Sequence, residues 1–279
     1  MRRRPLRLLV AMCLVALAFA AATAEAQRRR GGGGGRGGFG FGVRMAAPQD
    51  FDGGFHFCRI VFQNSLEGDG GGWSVDYPRA DINFSLRLSE LTKTAVSKDA
   101  TGEPNHLLVR LTDDALFDCP FAMMTEPGGA GLDEAEAARL RLYVEKGGFL
   151  WADDFWGEYA WNVWVSQLRK ALPASEYPIV DLPLDHPMFH TQFEVKKVTQ
   201  IPSINSYFGG RTSERGAESA VPHARAISDA KGRLIVLMTH NTDYGDSWER
   251  EGDDPKYFQT FGPDGYAFGI NAVVYALTH

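Results

Sequence analysis

Gly147-Gly148-Phe149-Leu150-Trp151-Ala152-Asp153-Asp154-Phe155-Trp156-Gly157 is the stretch that decides how this chain folds. A double-glycine turn feeds a short apolar run, which predicts a buried strand over Phe149–Asp153. Upstream, Asp133 is followed three residues later by Glu136, the signature of a capping box. The helix it opens is predicted to run to about Lys146 and to stop at Gly147. Downstream, a Trp-rich helix is predicted from about Glu158 to Ala171, closed by Pro173. Helix, strand and helix in direct succession are the unit of an α/β sheet. In such a sheet ligands bind at the carboxyl ends of the strands, where Asp153 and Asp154 stand. A nucleophile elbow at this turn would present Cys or Ser; the chain has Phe155 and Trp156 instead.

Working outward, strands are predicted at Phe55–Phe62, His106–Leu111, Phe121–Thr125 and Arg233–Thr239. Ala80–Thr94 is read as a helix. Leu182–Thr191 is read as an irregular Pro/His loop, Asp243–Pro263 as a long polar loop and Tyr266–Leu277 as a closing helix. Two of the strands, Phe121–Thr125 and Leu234–Met238, are nearly uninterrupted apolar runs. That pattern predicts a mainly parallel sheet covered on both faces.

The 279 residues, 44% of them hydrophobic, suffice for one sizeable core. The N-terminus stands apart from it. Arg2, Arg3, Arg4 and Arg7 precede an apolar run from Leu8 to Ala22, and Ala24-Glu25-Ala26 fits a small-x-small cleavage site. Residues 1–26 are therefore read as a signal peptide, with an uncleaved anchor as the alternative. Residues 27–50 are read as an Arg/Gly-rich linker and 51–279 as the folded domain. The expected location is periplasmic or secreted, with no transmembrane span after cleavage. Residues 1–44 hold nine Arg and one Glu, which leaves 20 basic against 34 acidic residues in the remainder, a net of −14. So acidic a body excludes a nucleic-acid surface. The basic tail suits association with an anionic envelope surface. Cys58 and Cys119, the two cysteines beyond the leader, are read as buried apolar thiols rather than as a pair.

Four groups carry candidate chemistry. Asp153 and Asp154 can each bind a metal or act as a base. Strand alternation points them apart, so Asp153 is expected in the cleft and Asp154 as the cap of the following helix, with the reverse also open. Asp185-His186-Pro187-Met188-Phe189-His190 places two histidines four apart, but Pro187 favours a turn. His240-Asn241-Thr242-Asp243-Tyr244-Gly245-Asp246-Ser247-Trp248 follows a buried strand and can share the cleft with Asp153; one His with two Asp suits a metal or a sugar, and an ordered Asx-rich turn is the other reading. Trp73, Asp76, Tyr77, Asp81 and Asn83 interleave aromatic rings with carboxylates, a combination suited to sugar stacking and hydroxyl recognition, or to locking a loop to the core. Trp156 joins them as a cleft residue. The chain carries no cofactor motif. If a divalent metal binds, the expected ligands are Asp153, His186, His240 and Asp243.

Several stretches, in order, resemble a known bacterial family. They are Trp73-x-x-Asp76-Tyr77-Pro78, Leu116-Phe117-Asp118-Cys119-Pro120-Phe121, the run from Leu140 to Asp154, Asp185-His186-Pro187-Met188-Phe189-His190, and Gly269-Ile270-Asn271 with Tyr275-Ala276-Leu277-Thr278. Together they are similar to the family called domain of unknown function 4159. The resemblance implies a flavodoxin-like three-layer sandwich of the class I glutamine amidotransferase kind, and export or attachment to the envelope. It supplies no activity. The expectation is a non-catalytic module that binds a ligand, envelope protein or carbohydrate. The alternatives are a metal-dependent hydrolase and a structural envelope component.

Overall fold

A computed structural model describes residues 44–279. The leader and most of the linker read from the sequence lie outside the described residues. The folded body begins before Phe51. Pro48–Asp50 forms one 3-10 turn, the Ala46 amide donates to the Leu108 carbonyl at 2.8 Å, and Ala46 and Phe51 pack against the core.

The described residues form nine strands: β1 (Phe57–Ile60), β2 (Gln63–Asn64), β3 (His106–Val109), β4 (Phe121–Thr125), β5 (Ala130–Gly131), β6 (Phe149–Phe155), β7 (Val180–Asp181), β8 (His223–Ser228) and β9 (Leu234–His240). Six α-helices accompany them among the described residues: α1 (Arg79–Leu91), α2 (Glu134–Glu145), α3 (Gly157–Ala171), α4 (Ile204–Phe208), α5 (Tyr244–Glu249) and α6 (Pro255–Thr278). The main sheet has seven strands in the order β3-β1-β4-β6-β9-β8-β7. The first five are parallel, and β8 runs antiparallel to both of its neighbours. β2 and β5 form a separate two-stranded ladder.

Strand alternation divides the apolar side chains between two faces. Phe57, Phe121, Met123, Phe149, Trp151 and Leu237 face α1, α5 and α6. Cys58, Ala122, Met124, Leu150, Val236 and Met238 face α2 and α3. Helices thus cover both faces, giving an α/β three-layer sandwich of the flavodoxin-like type, as expected. The order of connection reverses around β1: the chain moves from β1 outward to β3, then back across to β4. The carboxyl ends of β1 and β4 therefore border a topological switch point.

Two expectations are corrected. The segment from Asp243 to Pro263 is helical over most of its length, not a polar loop. Asp243 caps α5 by accepting from the Asp246 amide, and Asp254 caps α6 by accepting from Tyr257, with Pro255 at the first helical position. α6 then continues through Pro263. Cys58 and Cys119 are joined in a disulfide, 6.2 Å apart at Cα, linking β1 to the approach of β4. Both are buried, so burial alone did not separate free thiols from a bridge. Within the predicted Pro/His loop, Pro187–His190 forms a 3-10 turn capped by the His186 side chain.

Candidate functional site

The site grows from the end of β6. The ladder between β6 and β9 is in register to Ala152 and resumes at Phe155, so the two aspartates fall in an irregularity between these points. Bulges of this kind re-aim side chains at strand ends. Asp154 takes a left-handed backbone, φ 60°, where a non-glycine residue costs energy.

Neither carboxylate caps the helix that follows β6, the role expected of Asp154. Asp153 accepts from the Thr239 hydroxyl, from the Tyr244 amide at 2.9 Å and from the Gly245 amide at 3.1 Å. It therefore tethers the start of α5 to β6. Burial pushes its carboxyl up to about 7 against these hydrogen bonds. The helix after β6 has Trp156 as its N-cap residue and no side-chain cap. Asp154 instead accepts from the Trp156 indole at 2.9 Å and turns toward other acids. Trp156 thus seats Asp154 and lies 6% exposed at the recess.

Asp76 reaches the same place from the loop after β1, again with a left-handed backbone, φ 63°. Arg59 holds that loop from below. It is fully buried on β1, clasps the Asp81 carboxylate with its guanidinium, and donates to the Trp73 carbonyl at 3.2 Å and the Val75 carbonyl at 3.0 Å. Asp81 is therefore the support of Arg59 rather than a cleft residue. Removing either member of such a buried pair strands a charge, at a cost of about 3–5 kcal/mol. Trp73 is half-buried with its ring 5.7 Å from that of Tyr77, so it fixes the loop. Asp243 arrives from the turn after β9.

Asp76, Asp154 and Asp243 each offer an oxygen within 4.8 Å of the others, and Asp76, Asp246 and Glu249 form a second such triad. Asp76, Asp154 and Asp243 are each about nineteen-twentieths buried. Their carboxyls are pushed well above the ordinary range, first by burial and then by neighbouring carboxylates: Asp246 on Asp76, Glu126 on Asp154 and Asp154 on Asp243. The second triad is compensated. Arg250 lies 3.0 Å from Asp246 and 2.6 Å from Glu249. The first triad has no close ion pair of its own among the described residues: Arg59 is bonded to Asp81, and its charge lowers the Asp76 carboxyl without offsetting burial and the neighbouring acids.

Sequence reasoning missed Glu126 and Glu249 as site residues; Asp246 stood in the stretch read after His240. Glu126 directly follows the buried strand β4, the same signal that marked Asp153 and Asp154. Its backbone is left-handed, φ 50°, and it accepts from the Gly72 amide at 2.6 Å. Burial pushes its carboxyl up to about 7. The glycine loop before Trp73 is thereby pinned, with Asp69 also paired to Arg215 at 2.7 Å.

The predicted histidines do not join the acids; neither triad contains one. His240 is buried, its Nε2 3.0 Å from the Gly157 carbonyl and its Nδ1 3.2 Å from Arg225. His186 accepts from the Met188 amide at 3.1 Å and packs against Tyr275, while His190 contacts Glu194 and the Leu184 carbonyl. The expected metal set of Asp153, His186, His240 and Asp243 is therefore not assembled. The position of an amidotransferase nucleophile, between β6 and α3, holds Trp156, and both cysteines of the described residues are tied up in the disulfide. Cys–His chemistry has no thiol to use here.

The molecule is thus an open α/β sheet with an acidic recess at its carboxyl edge. Residues 57–277 match the family described as Domain of unknown function (DUF4159), and the chain belongs to that family. No match was found among curated proteins.

Proposed function

We propose that this chain is an exported ligand-binding module of the cell envelope. Its seat is the recess formed by Asp76, Asp154 and Asp243, and its ligand brings positive charge. One observation carries the reading: three carboxylates lie close together, nearly buried, beside a topological switch point, and among the described residues none of the three has a close ion pair. Burying mutually repelling acids costs free energy unless a partner neutralises them. Left-handed backbone at Asp76, Asp154 and Asn241 on the same rim fits a site whose shape is selected for use.

Export is supported by the arginine-led apolar start of the chain and by the Cys58–Cys119 disulfide, which belongs to an oxidising compartment. Among the described residues no helix is long and apolar enough to cross a membrane. The basic stretch before Arg44 suits contact with an anionic envelope surface.

The test is a thermal-shift titration at low ionic strength with three probes: calcium chloride, spermidine and glucosamine. At least one should raise the melting temperature saturably, and Asp154→Asn should abolish that rise. A wild-type protein indifferent to all three overturns the reading. A second reading, metal-dependent hydrolysis, draws on the same triad. Turnover of p-nitrophenyl phosphate or acetate with manganese, lost in Asp154→Asn, would establish it in place of a purely binding role.

A further inference from the structure

We propose that Asp76, Asp154 and Asp243 together coordinate one hard divalent cation of the magnesium, calcium or manganese class. The inference rests on the binding reading above and names its ligand.

Two independent observations support it. The first is spacing. The three oxygens lie within 4.8 Å of one another. At that outer limit the oxygens stand about 2.8 Å from a common centre, and drawing them to about 4.0–4.5 Å apart brings them to the roughly 2.3–2.6 Å of calcium–oxygen bonds, so an ion of this kind fits with a small inward adjustment. The second is an orphaned atom. Asp76 is 6% exposed, and its Oδ2 is buried with no hydrogen-bond partner. It is directed at the first turn of α5: a Cβ placed on Gly245 would lie 2.3 Å from it. A buried carboxylate oxygen without a donor is a costly arrangement that a cation relieves.

The residue types select the ion. All three ligands are carboxylates, with neither imidazole nor thiolate, which is the preference of hard cations and not of zinc or copper. The remaining oxygens of the set are already positioned. Asp154 accepts from Trp156 and Asp243 accepts from the Asp246 amide at 2.7 Å, so one oxygen of each is fixed and the carboxylate plane is set. Ligands oriented in this way by outer partners are the usual support of a metal site. The neighbouring triad does not compete for a second ion, because Arg250 already supplies its positive charge.

The experiment is isothermal titration of the chelator-treated mature chain with calcium, magnesium and manganese chlorides in turn. One cation per chain is expected for at least one of them. Asp154→Asn and Asp243→Asn should each weaken binding at least tenfold. Asn keeps the capping bond at position 243 and the indole bond at 154, so both variants should fold. Glu249→Gln should leave the affinity within threefold. No heat and no thermal shift with any of the three metals, while spermidine still stabilises the protein, overturns the metal inference and leaves the binding reading standing. Indifference to metals and to spermidine and glucosamine alike overturns both. Two cations per chain, one lost in Glu249→Gln, overturns the single-ion assignment.

Discussion

His240 stays neutral because both ring nitrogens are committed. Nε2–H donates to the Gly157 carbonyl, and Nδ1 faces the Arg225 guanidinium, which also lies 4.2 Å over the Trp161 ring. Burial, with the Arg225 charge adding to it, pushes the imidazole down to about 4. The sign follows directly. The unfolded chain takes up this proton below its ordinary value of 6.5, while the native state refuses it until about 4. The contribution is complete above 6.5 and is lost as pH falls through that window. Urea unfolding at pH 4.5 and pH 7 should show the wild type losing roughly 2 kcal/mol more than His240→Gln over this interval. The acidic recess titrates in both proteins and cancels in the comparison. Equal losses would show that His240 carries no such linkage. At this scale a histidine at a strand end served the backbone, and an aspartate expected to cap a helix served the recess.

α6 shows what the elements add. Gly265 and Gly269 sit one turn apart on the face that meets α5. A Cβ at Gly265 would lie 2.0 Å from the Ser247 hydroxyl, and one at Gly269 would lie 2.6 Å from the Trp248 ring and 2.7 Å from Phe84. These glycines let α5 press against α6, and α5 begins with Asp243. Gly265→Ala should therefore cost about 1–3 kcal/mol by overpacking and weaken cation binding as α5 is displaced. Gly252→Ala, which meets nothing within 4 Å, should leave both unchanged. Paired measurement by chemical denaturation and titration calorimetry checks the contrast; equal effects in the two variants would refute it. Much of this architecture was legible in the sequence. The helix α2 with its Asp133 capping box, β4 to the residue, and the Gly-Gly turn into β6 follow from local rules. The Asp254-Pro255 start of α6 was equally local but was masked by Pro263, read as the end of a loop. β8 is a short strand with weak alternation, and its place comes from pairing with β9. The triads were legible only in part. Asp76 and Asp243 come from two loops and Asp154 from the irregular end of β6; the sheet brings them together, and no spacing along the chain encodes their meeting.

The whole molecule is braced unevenly. The Cys58–Cys119 bridge spans 61 residues, and in the chain-entropy account a loop of that length is worth about 4 kcal/mol. It ties β1 to β4, the strands that flank the switch point and carry Arg59 and Thr125 below the recess. The outer margins of the sheet are protected differently. β7 is only two residues long, so little open backbone is offered there. At the opposite margin β3 is four residues long, and the Ala46 amide covers the Leu108 carbonyl. The segment from Arg44 to Asp50, expected to be linker, is therefore packed along the outer margin of β3. A chain beginning at Phe51 should keep its cation affinity yet form dimers and larger assemblies by strand pairing, seen by analytical ultracentrifugation, whereas a chain beginning at Arg44 should remain monomeric. If both sediment alike, this segment does not guard the margin.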